Sequence, residues 1–392
     1  MDTIHTVLNR GCSLWDRERM PEQELRQRLE GVRAGMKERG LDLLLVYGDS
    51  WKFGHLAYIS HFMPKNRGAL AVVPVEAEPA LVVQEPSRNN PFSTTLTWFD
   101  EVRSVGKFAQ GFSEAVKARN LSPKKVGLVA VEEQLNYREW SELKKAFGDA
   151  QLSNYQDLFL SLRATKSATE IRLIQEVSGI LEKSLSIFQR EARTGQKEYE
   201  LFALMEREAR RRGVEDFRFL IGRSSQPEVG LRPATAAPIE KGEALLVTVA
   251  ASYQRYWAEL GQTFCLGRPS PEIEKGHSQA AEALGRVAAV INAPLSRAVT
   301  ISGIKEAGLS AAAADSINAY GLGNGVGLDM VEEPLLREGE TFVPREGMTL
   351  TLRICIHGRE CASALIARPF RLTASGLQPL ANLETGLIST GA

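Results

Sequence analysis

Histidine and cysteine are both scarce in this chain. Of its 392 residues, five are histidine and four are cysteine. Because imidazole is a frequent general base and metal ligand, so few histidines restrict the sites that the chain can build. The cysteines are few and irregularly placed, which argues against a disulfide framework and favours a reduced cytoplasmic location. The two sets are His5, His55, His61, His277 and His357, and Cys12, Cys265, Cys355 and Cys361.

Net charge and long apolar runs are absent as well. Lysine plus arginine and aspartate plus glutamate each number 48, so the positive and negative charges balance. This balance gives no electrostatic reason to expect nucleic acid or an anionic membrane as a partner. Residues 1–10 lack the basic and apolar regions of a signal peptide, and no apolar stretch approaches the length of a membrane span.

Length and patterning predict two domains. A chain of 392 residues is too long for one hydrophobic core. Strands and helices alternate in the first part, which predicts an α/β domain over residues 1–163. The segments on which this prediction depends are a helix over Glu22–Arg39 and strands over Leu41–Tyr47, Ala69–Pro74, Pro79–Val83 and Lys124–Val131.

The second predicted domain, residues 164–392, has a different pattern. Amphipathic helices are predicted over Lys166–Arg193 and Glu198–Arg212, and strand-like segments follow. The fold class predicted for the whole chain is therefore α+β, with much antiparallel sheet in the second domain. The later segments are strands over Ala244–Val249, Tyr253–Leu266 and Thr349–Ile356, a helix over Glu272–Ala293 and a short alanine run over 311–314.

Seven segments of the chain stand in a specific order and spacing. They are Arg28–Val46, Tyr58–Ser60, Ile239–Leu246, Tyr253–Phe264, Gly323–Pro334, Gly347–Thr351 and Leu372–Gly376. Together they resemble the creatinase/prolidase/aminopeptidase P family, and the resemblance covers nearly the whole chain. It implies a creatinase-like α/β domain for residues 1–163 and the "pita-bread" fold for residues 164–392. It also implies a homodimer in which an arginine of the N-terminal domain reaches into the partner's site.

The chain departs from this family at the metal ligands. The resemblance implies two aspartates, a histidine and two glutamates, which are the hard donors that divalent ions prefer. Matched one by one, these positions hold Thr248, Glu259, Asn324, Arg353 and Ala367. Only one carboxylate remains, and arginine is always charged and cannot be a ligand. The sequence therefore predicts neither a metal nor another cofactor.

Creatinase is a metal-free member of the family that cleaves a C–N bond with a histidine base and glutamates. Its histidine position matches Leu231, and one of its glutamates matches Gly261. Its other glutamate, in the strand of Arg353, is absent, and neither His277 nor His357 matches a base position. The catalytic groups of creatinase therefore do not carry over either.

Glu259 and Arg353 match positions that face one cavity in the family, so we expect them to pair, since an unpaired buried charge is costly. Either the pair only replaces the metal, or Arg353 clamps an anion or oxyanion while Glu259 acts as general base. Thr248 and Asn324 would line the same cavity and bind an uncharged polar substrate, or else bond to each other or the backbone. Glu332 is a third catalytic candidate, with a solvated position near a turn as the alternative.

Three further residues are candidates for substrate binding. Arg67 is placed where the resemblance implies an arginine acting in the partner's site, and the alternative is an exposed loop arginine. Arg232 lies beside the lost histidine position and is a candidate clamp for a substrate carboxylate. Tyr256 either binds substrate or packs. Cys355, flanked by isoleucines, is expected to be a small buried hydrophobe rather than a nucleophile.

Three functions remain open. The first is a metal-independent hydrolase that acts on a C–N bond (amide, amidine or cyclic amidine) of a small polar metabolite. The second is a catalytically inactive pita-bread protein that serves in binding or as a scaffold. The third is an Xaa-Pro metallopeptidase. An open cavity with convergent polar groups would favour the first function, and a closed, salt-bridged cavity would favour the second.

Overall fold

The chain divides after Arg163 into two compact units. The computed structural model describes residues 14–65, 67–291, 298–306, 309, 313, 321–356, 362–383 and 386–390. The segment 1–10, His357 and the alanine run 311–314 (apart from Ala313) lie outside these described residues. Within them, no helix is both long and apolar enough to cross a membrane.

The amino-terminal unit is built around a six-stranded sheet. Its strands are β1 (Leu43–Asp49), β2 (Gly68–Pro74), β3 (Ala80–Gln84), β4 (Glu101–Val105), β5 (Lys125–Val129) and β6 (Gln151–Asn154). Its helices are α1 (Glu22–Glu38), α2 (Gly54–Ser60), α3 (Asn90–Ser93), α4 (Phe108–Ala118), α5 (Val131–Gln134), α6 (Tyr137–Ala146) and α7 (Gln156–Ala164), and two short 3-10 helices cover Ser87–Asn89 and Thr94–Leu96.

The order of this sheet is β4-β3-β2-β1-β5-β6, and β2 is antiparallel to both of its neighbours whereas the other pairs are parallel. Strand β2 is buried along its whole length, as expected for an apolar strand in the middle of a covered sheet. Helix α1 confirms its prediction, because Leu25, Leu29, Val32 and Met36 recur at helical spacing and are all buried.

The carboxyl-terminal unit combines long helices with a larger, mainly antiparallel sheet. Its helices are α8 (Ala168–Glu191), α9 (Glu198–Arg210), α10 (Pro271–Ile291) and α11 (Ile301–Glu306). Its strands are β7 (Asp216–Arg223), β8 (Ala244–Tyr253), β9 (Tyr256–Leu266), β10 (Val299–Thr300), β11 (Gly323–Gly325), β12 (Glu332–Leu336), β13 (Thr341–Phe342), β14 (Thr349–Ile356), β15 (Ala364–Thr373), β16 (Gly376–Pro379) and β17 (Ile388–Thr390).

Nine of the described strands of this unit form one sheet with the path β12-β11-β14-β15-β9-β8-β7, to which β16 and β17 are attached, and β10 and β13 form a separate two-stranded sheet. Every pair along that path is antiparallel. The turn between β8 and β9 places Gln254 and Arg255 in the left-handed region, with φ of 46° and 71°. A fully buried ion pair between Arg255 and Glu215 (3.1 Å) and a hydrogen bond from Arg255 N to Glu215 hold this turn.

Helix α8 determines which side of β9 is available for a site. It begins with a capping box in which Ser167 and Glu170 exchange hydrogen bonds. The ring of Phe188 in α8 packs on Phe264 of β9, with centroids 4.5 Å apart. Because side chains alternate along a strand, the even-numbered residues of β9 face α8, and the odd-numbered residues face the opposite side of the sheet.

Two glycines of α10 give a matched test of this packing. A Cβ on Gly276 would lie 2.1 Å from the carbonyl oxygen of Ala362, whereas a Cβ on the exposed Gly285 would meet nothing within 4 Å. Gly285→Ala should raise the free energy of unfolding by up to about 1 kcal/mol through helix propensity. Gly276→Ala should lower it by about 1–3 kcal/mol, because the backbone must shift. Urea unfolding of both variants measures the difference, and equal effects would contradict the close approach.

Candidate functional site

The sheet order brings the five predicted positions onto five neighbouring strands. Thr248 lies in β8, Glu259 in β9, Ala367 in β15, Arg353 in β14 and Asn324 in β11. Arg353 is the register partner of Ala367, and both Ala367 and Thr248 pair with Gly261. The strands therefore place these side chains in a row, which we call the central row.

An ion pair between Arg353 and Glu259 lies in the middle of the central row. Nε of Arg353 donates to Oε1 of Glu259 at 3.0 Å, and Nη2 donates to Oε2. The Thr248 hydroxyl donates to the same Oε1 at 2.9 Å. The Glu259 side chain is 6% exposed and that of Arg353 is 19% exposed. Attraction by the Glu259 charge holds the pKa of Arg353 above its usual value, although burial alone would lower it.

This geometry leaves a limited set of free polar atoms. An ionised carboxylate offers about four lone-pair positions, and three hydrogen bonds already reach Glu259. One position on Oε2 remains. Nη1 of Arg353 has no hydrogen-bond partner in the described part of the chain. An acceptor position and a donor group are thus left at the same pair, which is complementary to a ligand that presents one N–H or O–H and one oxygen.

Asn324 is buried at one end of the central row. Its amide nitrogen donates to the carbonyl oxygens of Gly325 (2.7 Å) and Met330 (3.0 Å). Both of its N–H groups therefore hold the segment that follows β11. This is the alternative given above, in which the Asn324 side chain bonds to the backbone. Only the amide oxygen remains for the substrate contact that the sequence predicted.

Thr351 was missed by the sequence reasoning. It lies two residues before Arg353 in β14, so it shares a face with that side chain, and it is the register partner of Asn324. Thr351 is fully buried, and its hydroxyl has no hydrogen-bond partner among the described residues. Buried polar groups are nearly always paired, so this hydroxyl is a candidate contact for a water molecule or a ligand atom. The alternation of β14 around Arg353 was the signal that would have found it.

Glu332 has a structural contact that the sequence did not predict. Its carboxylate binds Nζ of Lys166 at 2.8 Å, and both side chains are almost completely buried. The backbone N–H of Asp329 also donates to it, at 3.1 Å. A paired and buried carboxylate of this kind stabilises the β12 edge, and the solvated position considered as the alternative is not what the structure has.

Two predicted substrate contacts need correction. Tyr256 is an even-numbered residue of β9 and faces α8, where its hydroxyl donates to Glu170 at 2.9 Å. It therefore lies on the other side of the sheet from Glu259. Arg232 is held by a bidentate ion pair with the fully buried Glu198, at 2.6 and 2.8 Å. Its guanidinium is thus committed within the protein and is not presented to a substrate carboxylate.

Glu198 is the centre of a buried charge network. Besides Arg232, it accepts hydrogen bonds from Arg223 (2.9 Å) and from the backbone and hydroxyl of Thr235 (2.8 and 2.9 Å). Arg223 also bonds to Glu243. Burial by itself would raise the pKa of Glu198, but these hydrogen bonds lower it to about 2. The network fastens the segment that joins β7 to β8.

Two residues that were singled out remain, Arg67 and Cys355. Arg67 belongs to the amino-terminal unit, where it is exposed and lines a cavity. Its role in a partner's site stays a prediction. Cys355 is packed against Leu246 and Leu365, and burial raises the pKa of its thiol to about 12. A thiol that stays protonated at neutral pH is not a nucleophile, so the expectation that Cys355 is a buried hydrophobe is confirmed.

The central row does not fit a pair of divalent cations. Its one carboxylate already binds a guanidinium, and the other positions supply a hydroxyl, an amide and a methyl group. Within the described residues, no group of three or more histidine, cysteine, aspartate or glutamate side chains is placed to hold a metal ion. Hard cations need several anionic oxygens, and the fixed charge of Arg353 opposes their entry.

Two family descriptions match the chain over most of its length. Residues 172–366 match Metallopeptidase family M24, and residues 28–165 match the Creatinase/Prolidase N-terminal domain. The chain belongs to the creatinase/prolidase family. This confirms the family resemblance and the fold predicted from it, a creatinase-like α/β domain followed by a pita-bread domain.

The relatives are peptidases by name. An Xaa-Pro dipeptidase of Pyrococcus horikoshii is 27% identical over 270 residues, which cover 66% of this chain and 74% of the relative. A putative dipeptidase, YkvY, of Bacillus subtilis is 24% identical over 280 residues, covering 70% and 76%. Two solved structures share the fold. The prolidase from Pyrococcus horikoshii OT3 has a TM-score of 0.76 at 23% identity, covering 92% of this chain and 100% of that chain. The X-Pro aminopeptidase from Thermotoga maritima MSB8 has a TM-score of 0.78 at 22% identity, covering 92% and 99%.

The Arg353–Glu259 pair can be tested by a double-mutant cycle. Arg353→Met should lower the free energy of unfolding by about 3 kcal/mol or more, because it leaves Glu259 buried and charged. The double variant Arg353→Met/Glu259→Leu should lose less than this single variant, since no unpaired charge remains. Urea denaturation gives the values. As a control, Glu282→Gln in the exposed pair with Arg286 should cost under about 1 kcal/mol. Additive losses in the cycle would contradict the pairing.

The Glu198 network should make stability depend on pH at the acid end. The folded-state pKa of about 2 lies below the ordinary value of 4.5, so the stabilisation is complete above about pH 4.5 and is lost as pH falls towards about 2. Its size is at most about 3 kcal/mol. Glu198→Gln should flatten this part of a stability-against-pH curve measured by chemical denaturation. Glu274→Gln, at an exposed position of α10, should leave the slope unchanged; a flattening there too would assign the slope elsewhere.

Proposed function

We propose that this protein is a hydrolase of the prolidase type whose reaction centre is the Arg353–Glu259 pair instead of a metal pair. Membership of a family of hydrolases supports hydrolysis as the reaction class. The observation that carries the metal-independent part is the bidentate ion pair at the centre of the central row. It occupies the one carboxylate that remains of the family's ligand set.

The free atoms of the pair suggest the substrate class. One lone pair on Oε2 of Glu259 can accept a hydrogen bond, and Nη1 of Arg353 can donate one. An amide presents the complementary N–H and oxygen on one carbon atom, and an amidine or cyclic amidine presents them together with a nearby carbonyl. We therefore assign to this site a C–N bond of a small polar metabolite.

The reaction is balanced by water alone. Glu259 accepts a proton from a water molecule, whose oxygen forms a bond to the carbonyl or amidine carbon. The charge that develops on the substrate oxygen or nitrogen is stabilised by the guanidinium of Arg353. The C–N bond then breaks, and the proton held by Glu259 passes to the leaving nitrogen. The products are a carboxylate or amide and an amine, with no oxidant or reductant involved.

A second candidate function is ligand binding without turnover. The observation that favours it is the closed state of the central row: Thr248, Glu259 and Asn324 are each less than 10% exposed, and Ala367 offers no functional group. Both oxygens of Glu259 already accept hydrogen bonds, so only one lone-pair position is left for a water molecule that would give up its proton. In this case Arg353 would recognise a ligand that is released unchanged.

A third candidate follows from the names of the relatives. Xaa-Pro dipeptidases are among the proteins most similar to the chain, which supports cleavage of Xaa-Pro dipeptides. The donor set of the central row opposes the metal-dependent form of that reaction. The three candidates differ in what they require of manganese and of Glu259, so one set of assays separates them.

The test is turnover of small amides, amidines, cyclic amidines and Xaa-Pro dipeptides, with either manganese or EDTA, followed by mass spectrometry. We expect turnover in EDTA that falls by about 100-fold or more in Glu259→Gln and is also lost in Arg353→Ala. Arg286→Ala, on the exposed face of α10, should keep full activity, and melting temperatures show that each variant is folded.

The alternative outcomes assign the other functions. A compound that raises the melting temperature of the wild type but not of Arg353→Ala, and yields no product, would favour ligand binding. Cleavage of Xaa-Pro dipeptides only in the presence of manganese would overturn metal independence and establish the peptidase.

A further inference from the structure

A cavity in the amino-terminal unit is lined by residues of that unit. It has a volume of about 420 Å³ and lies between the start of β2 and the ends of β3 and β4. Ligand pockets in proteins span about 300–1,000 Å³, so this one is of a size for a small molecule. The residues that line it are Arg67, Gln84, Glu85, Pro86, Ser87, Ser104, Val105 and Gly106.

The cavity lies outside the carboxyl ends of two parallel strands. Strands β3 and β4 are parallel, and their carboxyl ends meet at the register pair Gln84–Val105. Arg67 reaches the same edge because β2 is antiparallel to β3 and begins one residue after it, at Gly68.

The floor of the cavity is fixed by hydrogen bonds. The amide nitrogen of Gln84 donates to the carbonyl of Gly106 at 3.0 Å and to the carboxylate of Glu139 at 3.1 Å. The amide of Asn90 donates to Ser104 Oγ at 3.2 Å and to the carbonyl of Val102 at 2.8 Å. These bonds tie the ends of both strands together, so the polar groups that face the cavity are held in place before a ligand arrives.

Glu85 is a carboxylate without a cation. Ser104 Oγ donates to it at 3.0 Å, but none of the ion pairs found among the described residues includes it. Burial raises the pKa of Glu85, and hydrogen bonds from Ser93 and Ser104 only partly offset this effect. A positively charged neighbour stabilises the ionised form of a half-buried carboxylate more than it stabilises that of an exposed one.

Arg67 is the opposite charge at the same cavity. It is exposed and has no hydrogen bond or ion pair within the described ranges, with Glu85 or with any other acid. A guanidinium and a carboxylate thus line one cavity without neutralising each other. We propose that the cavity binds a small zwitterion of amino-acid or dipeptide size, with Arg67 on the carboxylate and Glu85 on the ammonium group. The hydroxyls of Ser87 and Ser104 would complete the polar contacts.

The experiment is isothermal titration calorimetry of the full-length protein with alanylalanine. Two matched probes each lack one charge: N-acetyl-alanylalanine has no ammonium, and alanylalanine amide has no carboxylate. We expect saturable binding of alanylalanine and at least a tenfold loss of affinity for each blocked probe. Equal binding of all three, or no binding of alanylalanine, would overturn the proposal.

Variants assign the binding to this cavity. Arg67→Ala should weaken alanylalanine at least tenfold while leaving the amide unaffected, and Glu85→Gln should do the same for alanylalanine but not for the N-acetyl probe. Arg138→Ala, at an 83% exposed side chain of α6, is the matched arginine control and should bind as the wild type does. Circular dichroism shows that each variant is folded.

The central row provides the second control. Arg353→Ala should leave alanylalanine binding unchanged if the amino-terminal cavity is the site. If instead Arg353→Ala abolishes binding and Arg67→Ala does not, the ligand occupies the central row and the proposal fails. Loss of binding in both variants would also overturn the proposal, because Arg67 and Arg353 would then act on one ligand. The homodimer implied by the family resemblance would bring the two arginines together in that way.

Discussion

The pairing of Arg353 with Glu259 is the constraint on which the carboxyl-terminal unit depends. The five strands of the central row form a buried part of one sheet, and Glu259 is the negative charge within it. Left alone, that charge would oppose folding, because transfer of a carboxylate from water to a protein interior costs several kcal/mol. The guanidinium of Arg353, two strands away in the same sheet, supplies the positive charge that compensates this carboxylate. The fold can hold the buried carboxylate of Glu259 because the positive charge of Arg353 balances it.

The same pair explains why the remainder of the central row is neutral. Thr248, Asn324 and Ala367 carry no charge, and neither does the neighbouring Thr351, so no other charge of these residues competes with Glu259 for Arg353 or with Arg353 for Glu259. The second charge network, around Glu198, is likewise self-contained and lies on the segment between β7 and β8. These two networks are separate, and the sheet carries two further buried ion pairs, Arg255–Glu215 and Lys166–Glu332.

The sequence predicted the fold well and the site in part. Helical spacing in α1 and α8 and the apolar run of β14 were enough to locate those elements within a few residues. The Arg353–Glu259 pair could be anticipated because two opposite charges fall on positions that face one cavity in the family. Tyr256 was misplaced although its spacing from Glu259 already puts it on the other face of β9. The partnerships of Arg232 with Glu198 and of Lys166 with Glu332 join residues 34 and 166 positions apart, and no local pattern encodes such distances.

The contact between Gly261 and Ala367 limits which side chains the sheet can carry at this point. A Cβ on Gly261 would lie 2.8 Å from that of Ala367, so position 261 has no room for a side chain. A glutamate at position 367 would enter this narrow gap beside the guanidinium of its register partner Arg353, and the two charges would form an ion pair there. A carboxylate added at this point alone would therefore be neutralised by the arginine and would not by itself create a metal site.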